Sequence, residues 1–243
     1  MRSANPSLGE NTFKGLRSGS GTSMTIQGTV NKTFILFLLL CATAFFTWHQ
    51  HFAGNDIQMF LWIGLLGGFV VALITIFVKS AAPYTAPLYA LLEGLVIGGI
   101  SALFESQFEG ITSQAILLTL GTLFSLLIVY RSGLIKVTEN FKLGVAAATG
   151  AIFFVYVADL ILRFFGMEVP FIHETGIVGI LISVAIVVVA ALNLVLDFDF
   201  IEKGAEQRAP KYMEWYGAFG LMVTLVWLYF EILRLLSKIR SNR

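Results

Sequence analysis

Charge is scarce in this chain. Only 13% of its 243 residues are Asp, Glu, Lys or Arg, against roughly a quarter in a soluble domain. That shortage excludes a water-soluble globule. With 57% hydrophobic residues and a mean hydropathy of +0.82, the composition belongs in a bilayer. Neither sign of charge dominates, 16 Lys+Arg standing against 15 Asp+Glu, so the basic excess of a nucleic-acid binder is missing. The single cysteine, Cys41, excludes an intrachain disulfide and reads as a small packing residue.

Catalytic and cofactor motifs are missing as well. There is no HExxH pair, no GxSxG elbow, no Cys/His cluster for zinc and no phosphate-cradling glycine loop. Without a glycine–x–glycine–Asp motif the acids do not resemble one class of intramembrane aspartyl protease. The last apolar run has no lysine in its middle, which excludes a retinal Schiff base of the rhodopsin type. The expectation is a protein that is not an enzyme and binds no cofactor. The first 31 residues are polar and lack the apolar core of a secretory signal, so they read as a mobile cytoplasmic tail. Residue two is Arg, so a glycine-led lipidation signal is absent.

What the chain does have is seven apolar runs, each near the ~20 residues needed to cross hydrocarbon. They cover about 33–49, 57–78, 85–104, 113–131, 143–165, 176–196 and 216–237. The expected organisation is a tail over 1–31, a seven-helix transmembrane domain over 32–238 and a basic tail over 239–243. Basic residues alternate between loops. Arg2, Lys14, Arg17 and Lys32 precede the first run, Lys79 follows the second, Arg131, Lys136 and Lys142 follow the fourth, and Lys203, Arg208 and Lys211 follow the sixth. The other loops have none, which fits a cytoplasmic N-terminus. Arg234, Lys238, Arg240 and Arg243 break the alternation. Seven crossings are the favoured reading, a re-entrant segment near 197–216 the other. His49 and His51 in the first loop read as interfacial anchors, with weak metal binding as the alternative, and His173 lies in the fifth loop. Gly64 with Gly68, and Gly94 with Gly98, each share a helix face and predict close helix packing, with a hinge beside a pore as the alternative.

Acids inside spans are the strongest functional signal. A carboxylate at mid-bilayer costs roughly 2.5–3.5 kcal/mol, so it faces the protein interior, finds a partner or titrates. Glu93 sits mid-run in YALLEGLVIGGIS, either bonded to another helix or serving as an inward ligand. Asp159 and Arg163 are four apart in the favoured helical order and read as a structural ion pair. Asp197 and Asp199 close the sixth run, about 200° apart on a helix, so at most one faces the interior while the other joins Glu202 and Lys203 at the membrane edge. Glu231 lies within the seventh run, with Arg234 as a local partner or a sixth-helix acid as a distant one. Two close carboxylates cannot both ionise cheaply and titrate as a unit. When ionised they are hard oxygen ligands, too few for a tight calcium site and better suited to transient passage.

The stretches LNLVLDFDFIEKGAEQ and WLYFEILRLLSKIR, with RSANPSL, APLYALLEGLVIGGISALFE and YRSGLIKVTENFKLGV, resemble a bacterial branch of the Bax inhibitor-1 family, also called the transmembrane Bax-inhibitor-motif family. The resemblance spans nearly the whole chain. It implies an all-α seven-helix membrane bundle with the last helix central. It also implies a pH-sensitive Ca²⁺ leak gated by a paired-acid sensor between the sixth and seventh helices, here in a bacterial inner membrane. Carried over, Glu231 is the seventh-helix acid, Asp197 the first choice for the sixth-helix acid and Asp199 the second. Glu93 is a further inward acid, and Lys79 is the nearest match to an auxiliary basic residue. Three features depart from the family pattern: Glu in place of Asp at 231, the doubled DFD, and a longer link containing Pro210 and EWYG. The expected partners are the lipid bilayer and no nucleic acid. The other reading permitted by the resemblance is a regulator that transports nothing and binds membrane proteins such as a quality-control protease. Phe13 and Leu16 beside Lys14 and Arg17 would then be its docking segment.

Overall fold

The computed structural model describes residues 23–167, 169, 174 and 176–242. The tail residues Arg2, Phe13, Lys14, Leu16 and Arg17, the loop residue His173 and Arg243 lie outside them. The described residues form seven long helices: α1 (Ile26–Phe52), α2 (Gln58–Phe77), α3 (Ala82–Gln107), α4 (Ile111–Arg131), α5 (Glu139–Phe164), α6 (Ile177–Glu206) and α7 (Met213–Ser241). All seven are long and apolar enough to cross a membrane. No strand is present among the described residues; one isolated bridge pairs Ser23 with Pro210. The protein is thus an all-α, multi-pass membrane protein. Over half of the most apolar stretch of α7 is buried, a larger share than in any other helix.

Each expected run is a helix, yet several helices outrun the hydrophobic windows. Thr25 caps α1, its hydroxyl accepting from Gly28 N–H at 3.0 Å, so the polar residues 26–31 are helical rather than tail. His49 and His51 accordingly fall in the last turns of α1 instead of a loop, where His51 Nε2 and Ser106 Oγ are 3.0 Å apart. Thr138 caps α5 in the same way through Phe141 N–H, and Glu139 pairs with Lys142 at 2.9 Å. Helix α6 continues ten residues past the expected end, and at ~1.5 Å per residue its 30 residues exceed the ~30 Å of hydrocarbon. No re-entrant segment lies near 197–216: α6 ends at Glu206, a short turn follows, and α7 begins at Met213. The residues assigned to a C-terminal tail continue α7 as far as Ser241.

The turn after α6 has an unusual end. Ala209 N–H reaches back to Gly204 O at 3.0 Å and Arg208 N–H to Ala205 O at 3.1 Å, the pattern of a left-handed helix stop. The left-handed residue is Arg208, at φ 51°, and it is the one non-glycine with positive φ among the described residues. Glycine adopts that conformation without Cβ strain. Arg208→Gly is therefore expected to raise the unfolding free energy by about 1 kcal/mol, read as a higher midpoint in detergent. A lower midpoint would show that the Arg208 side chain contributes more than its backbone costs.

The helices group into two compact units. Among the described residues, one holds 23–109 with 197–223, and the other 110–196 with 224–242. In the first, α3 packs on both α1 and α2 through the predicted glycine faces. Leu92 O and Val96 of α3 lie against Gly64, and Leu40, Thr43 and Ala44 of α1 lie against Gly94 and Gly98. The start of α7 joins through Phe219, edge-on to Tyr89 at 5.0 Å, and through Tyr216, its ring tilted against Phe200 of α6 at 6.3 Å. In the second unit, Asn193 of α6 donates to Thr149 of α5 at 2.8 Å. The buried Lys238 of α7 donates to Gly179 O at 3.1 Å and Ser183 Oγ at 2.9 Å, both on α6.

Candidate functional site: buried acids on the last two spans

Because α6 persists through its DFD segment, Asp197 and Asp199 point to different sides of one helix. Asp197 has no exposed surface at all. Asp199 is also largely buried, and its carboxylate takes Lys203 Nζ at 2.7 Å one turn on. The grouping of Asp199 with Lys203 agrees with the expectation. The burial of both aspartates departs from it, because α6 runs on into packed protein where an open membrane edge was expected.

In the other unit, Glu231 is 1% exposed and richly bonded. Its Oε1 accepts from the Tyr156 hydroxyl at 2.8 Å and from Trp227 Nε1 at 3.2 Å. Arg234, one turn along α7, reaches its Oε2 at 3.2 Å. The same guanidinium donates to the Tyr156 oxygen at 2.5 Å and lies over that ring, 5.2 Å from its centroid. Tyr156 thus accepts from a cation while it donates to a carboxylate, a chain in which each bond polarises the next. The local Arg234 partner foreseen for Glu231 is present; Tyr156 and Trp227 were not foreseen.

The remaining acids fall into separate settings. Glu93 is half-buried on α3, hydrogen-bonded to the Tyr89 side chain one turn earlier, with Gly68 of α2 facing its carboxylate. Asp159 and Arg163 form the predicted i,i+4 pair at 3.1 Å, and the other Asp159 oxygen takes Val169 N–H at 3.1 Å. Lys79 begins a single 3₁₀ turn between α2 and α3. Among the described residues, no three His, Cys, Asp or Glu side chains gather closely enough to hold a metal ion.

One buried acid escaped the sequence reading. Glu214, in the first turn of α7, has no exposed surface. It accepts from Thr25 N–H and Thr25 Oγ1, both at 2.9 Å, from Lys211 Nζ at 2.7 Å and from Lys32 Nζ. Its segment EWYG reads as a turn in the link after the sixth run, and two of its partners lie nearly the whole chain away. The nearest signal in the sequence is Thr25, a helix-capping residue ahead of a periodic run.

A family model described as Bax inhibitor 1 like matches residues 5–241, essentially the whole chain. Comparison with curated proteins and with solved structures finds no match.

Proposed function

The chain belongs to the Bax inhibitor 1-like family, and from that premise we propose that it is a pH-responsive cation leak, with Ca²⁺ as the permeant ion and no enzymatic activity or bound cofactor. Its setting in this reading is a bacterial inner membrane, with the N-terminus cytoplasmic. The observation that carries the proposal is the burial of carboxylates on the last two spans. Asp197 is fully enclosed on α6 and Glu231 almost so on α7. An acid kept from both lipid and water changes its charge only at a cost, so its protonation and the conformation around it are linked. Asp197 and Glu231 are the proton-responsive acids, Asp199 is auxiliary, and Glu93 is a further acid along the route.

Glu231 fits the role through its surroundings. Its donors include a phenol and a guanidinium already bonded to each other, so a change in its charge reorders a chain of bonds joining α5 to α7. Carboxylate oxygens are also the ligand type a hard divalent cation takes while shedding water.

The test is Ca²⁺ flux into liposomes holding the purified full chain, across about pH 6 to 8. A titrating acid changes its charged-to-neutral ratio about tenfold per pH unit, so the wild-type flux should vary steeply over that range. Asp197→Asn and Glu231→Gln should each flatten the response. Flux and pH dependence left intact in both variants would remove the two acids from the mechanism. A chain that passes no cation as wild type or in any variant would favour the non-transporting regulator.

A further inference from the structure

The start of α7 is tied to the start of α1 by more than packing. Ser23 pairs with Pro210 in an antiparallel bridge, and Met24 N–H donates to Ala209 O at 2.7 Å. Thr25 then performs two tasks at once. Its hydroxyl caps α1 by accepting from Gly28 N–H, while its own N–H and O–H both donate to Glu214. Lys32, one turn beyond Gly28, bonds the other Glu214 oxygen, and its ammonium lies 5.5 Å from the Trp215 ring centroid. Lys211 closes the ring from the turn before α7. Gly28 leaves room for all this: a Cβ there would overlap the Glu214 carboxylate.

We propose that this arrangement is an autoinhibitory clasp in which Glu214 locks the segment 23–32 onto the α6–α7 turn, holding α7 in its resting position until the segment is released. The inference rests on the leak reading above. A fully enclosed carboxylate with two ammonium partners and two hydroxyl or amide donors is satisfied only while segment and turn remain together. Release strips Thr25 and Lys32 from the carboxylate and leaves it Lys211 alone, so a half-open clasp is costly and the clasp is either closed or open. Helix α7 carries Glu214 in its first turn and Glu231 four to five turns later. Release at the first turn therefore bears on the helix that also carries Glu231. Residues 1–22 lead directly into the clasp, so whatever engages them pulls on Ser23 first.

Three changes to the full chain test this. Glu214→Gln removes the charge. Gly28→Ala keeps the charge but displaces the carboxylate. Ser23→Cys with Pro210→Cys, in a Cys41→Ser background, places two thiols across an antiparallel pair, within reach of a disulfide. Both opening variants should speed amide exchange at Met24 and Thr25 and raise liposome flux about five- to thirty-fold. The oxidised cysteine pair should lower flux, with reductant restoring it, and this arm leaves Glu214 in place should Glu214→Gln fail to fold. Exchange at Met24 and Thr25 unchanged in both opening variants overturns the clasp. So does a leaking wild type whose flux is the same when opened and when locked. A silent wild type that conducts once opened supports it. Silence in every variant, the opened ones included, overturns the leak reading itself.

Discussion

Gly98→Leu should separate α1 from α3 and cost the protein more stability than any other single change on its glycine faces. A Cβ at position 98 would fall on the Ala44 carbonyl oxygen, with Ala44 Cα 2.7 Å away. These are backbone atoms in the middle of α1, so no side-chain rotation relieves the overlap and the helices must move apart. Forcing extra methylenes into a packed contact costs about 1–3 kcal/mol, and leucine adds a whole side chain. Gly98→Ala should already be destabilising. Gly94 behaves alike, because its Cβ would meet Leu40 O and Thr43 Oγ1, and Gly64 follows, with Leu92 O at 2.6 Å. Gly121 and Gly150 are the controls: nothing lies within 4 Å of a Cβ at either, so alanine there should gain up to about 1 kcal/mol from helix propensity. Unfolding midpoints in detergent check the order. A Gly98→Ala protein as stable as Gly121→Ala would mean that α1 and α3 are not in close apposition.

That ranking was only half visible in the sequence. Four-residue glycine spacing announces a close-packing face, but not which helix covers it. Gly64 and Gly94 look equivalent in the chain, yet one receives α3 and the other α1. The spans themselves were legible because seven runs of hydrocarbon length cannot be anything else in a chain this poor in charge. Their ends were not. A hydropathy window measures the part of a helix that suits lipid, whereas a helix stops where its backbone is capped. Thr25 starts α1 and the left-handed Arg208 stops α6, each well outside the apolar window.

The acids divide on the same line. Glu93, Asp159 and Glu231 declared themselves by interrupting apolar runs and Asp197 by closing one, where a carboxylate must be explained. Asp159 with Arg163, and Glu231 with Arg234, could be paired from helical spacing alone. Tyr156 and Trp227 could not, since aromatic residues in a span read as packing until a carboxylate is found beside them. Glu214 is the opposite case. It lies in the link after the sixth apolar run, where an acid needs no explanation, and its burial arises from Thr25 and Lys32 arriving from the far end of the chain.

Arg234→Ala should lower stability by about 3 kcal/mol. Breaking a buried ion pair by removing one partner costs about 3–5 kcal/mol, and the lower end applies because the Arg234 side chain is 39% exposed and water screens part of the attraction. The carboxylate left behind is 1% exposed and keeps hydrogen bonds from the Tyr156 hydroxyl and the Trp227 indole N–H, two neutral donors, with the Lys238 ammonium as the cation still acting on it. Tyr156 loses as well, giving up a hydrogen bond to its oxygen and a cation over its ring. Arg234→Lys should not rescue, since an ammonium cannot lie flat on the phenol and fork to both acceptors. Replacing both charges, as Glu231→Gln with Arg234→Met, should recover most of the loss, because the carboxylate is no longer a stranded ion and the nearby Lys238 keeps Gly179 O and Ser183 Oγ. Chemical or thermal unfolding of the wild type, Glu231→Gln, Arg234→Met and the double variant closes the cycle. Single losses that simply add in the double variant would show that the pair carries no coupling and that Arg234 acts by packing alone. Recovery in the double variant would show that Glu231 depends on its cation, which makes the charge on α7 the property of a Glu–Tyr–Arg unit rather than of one acid.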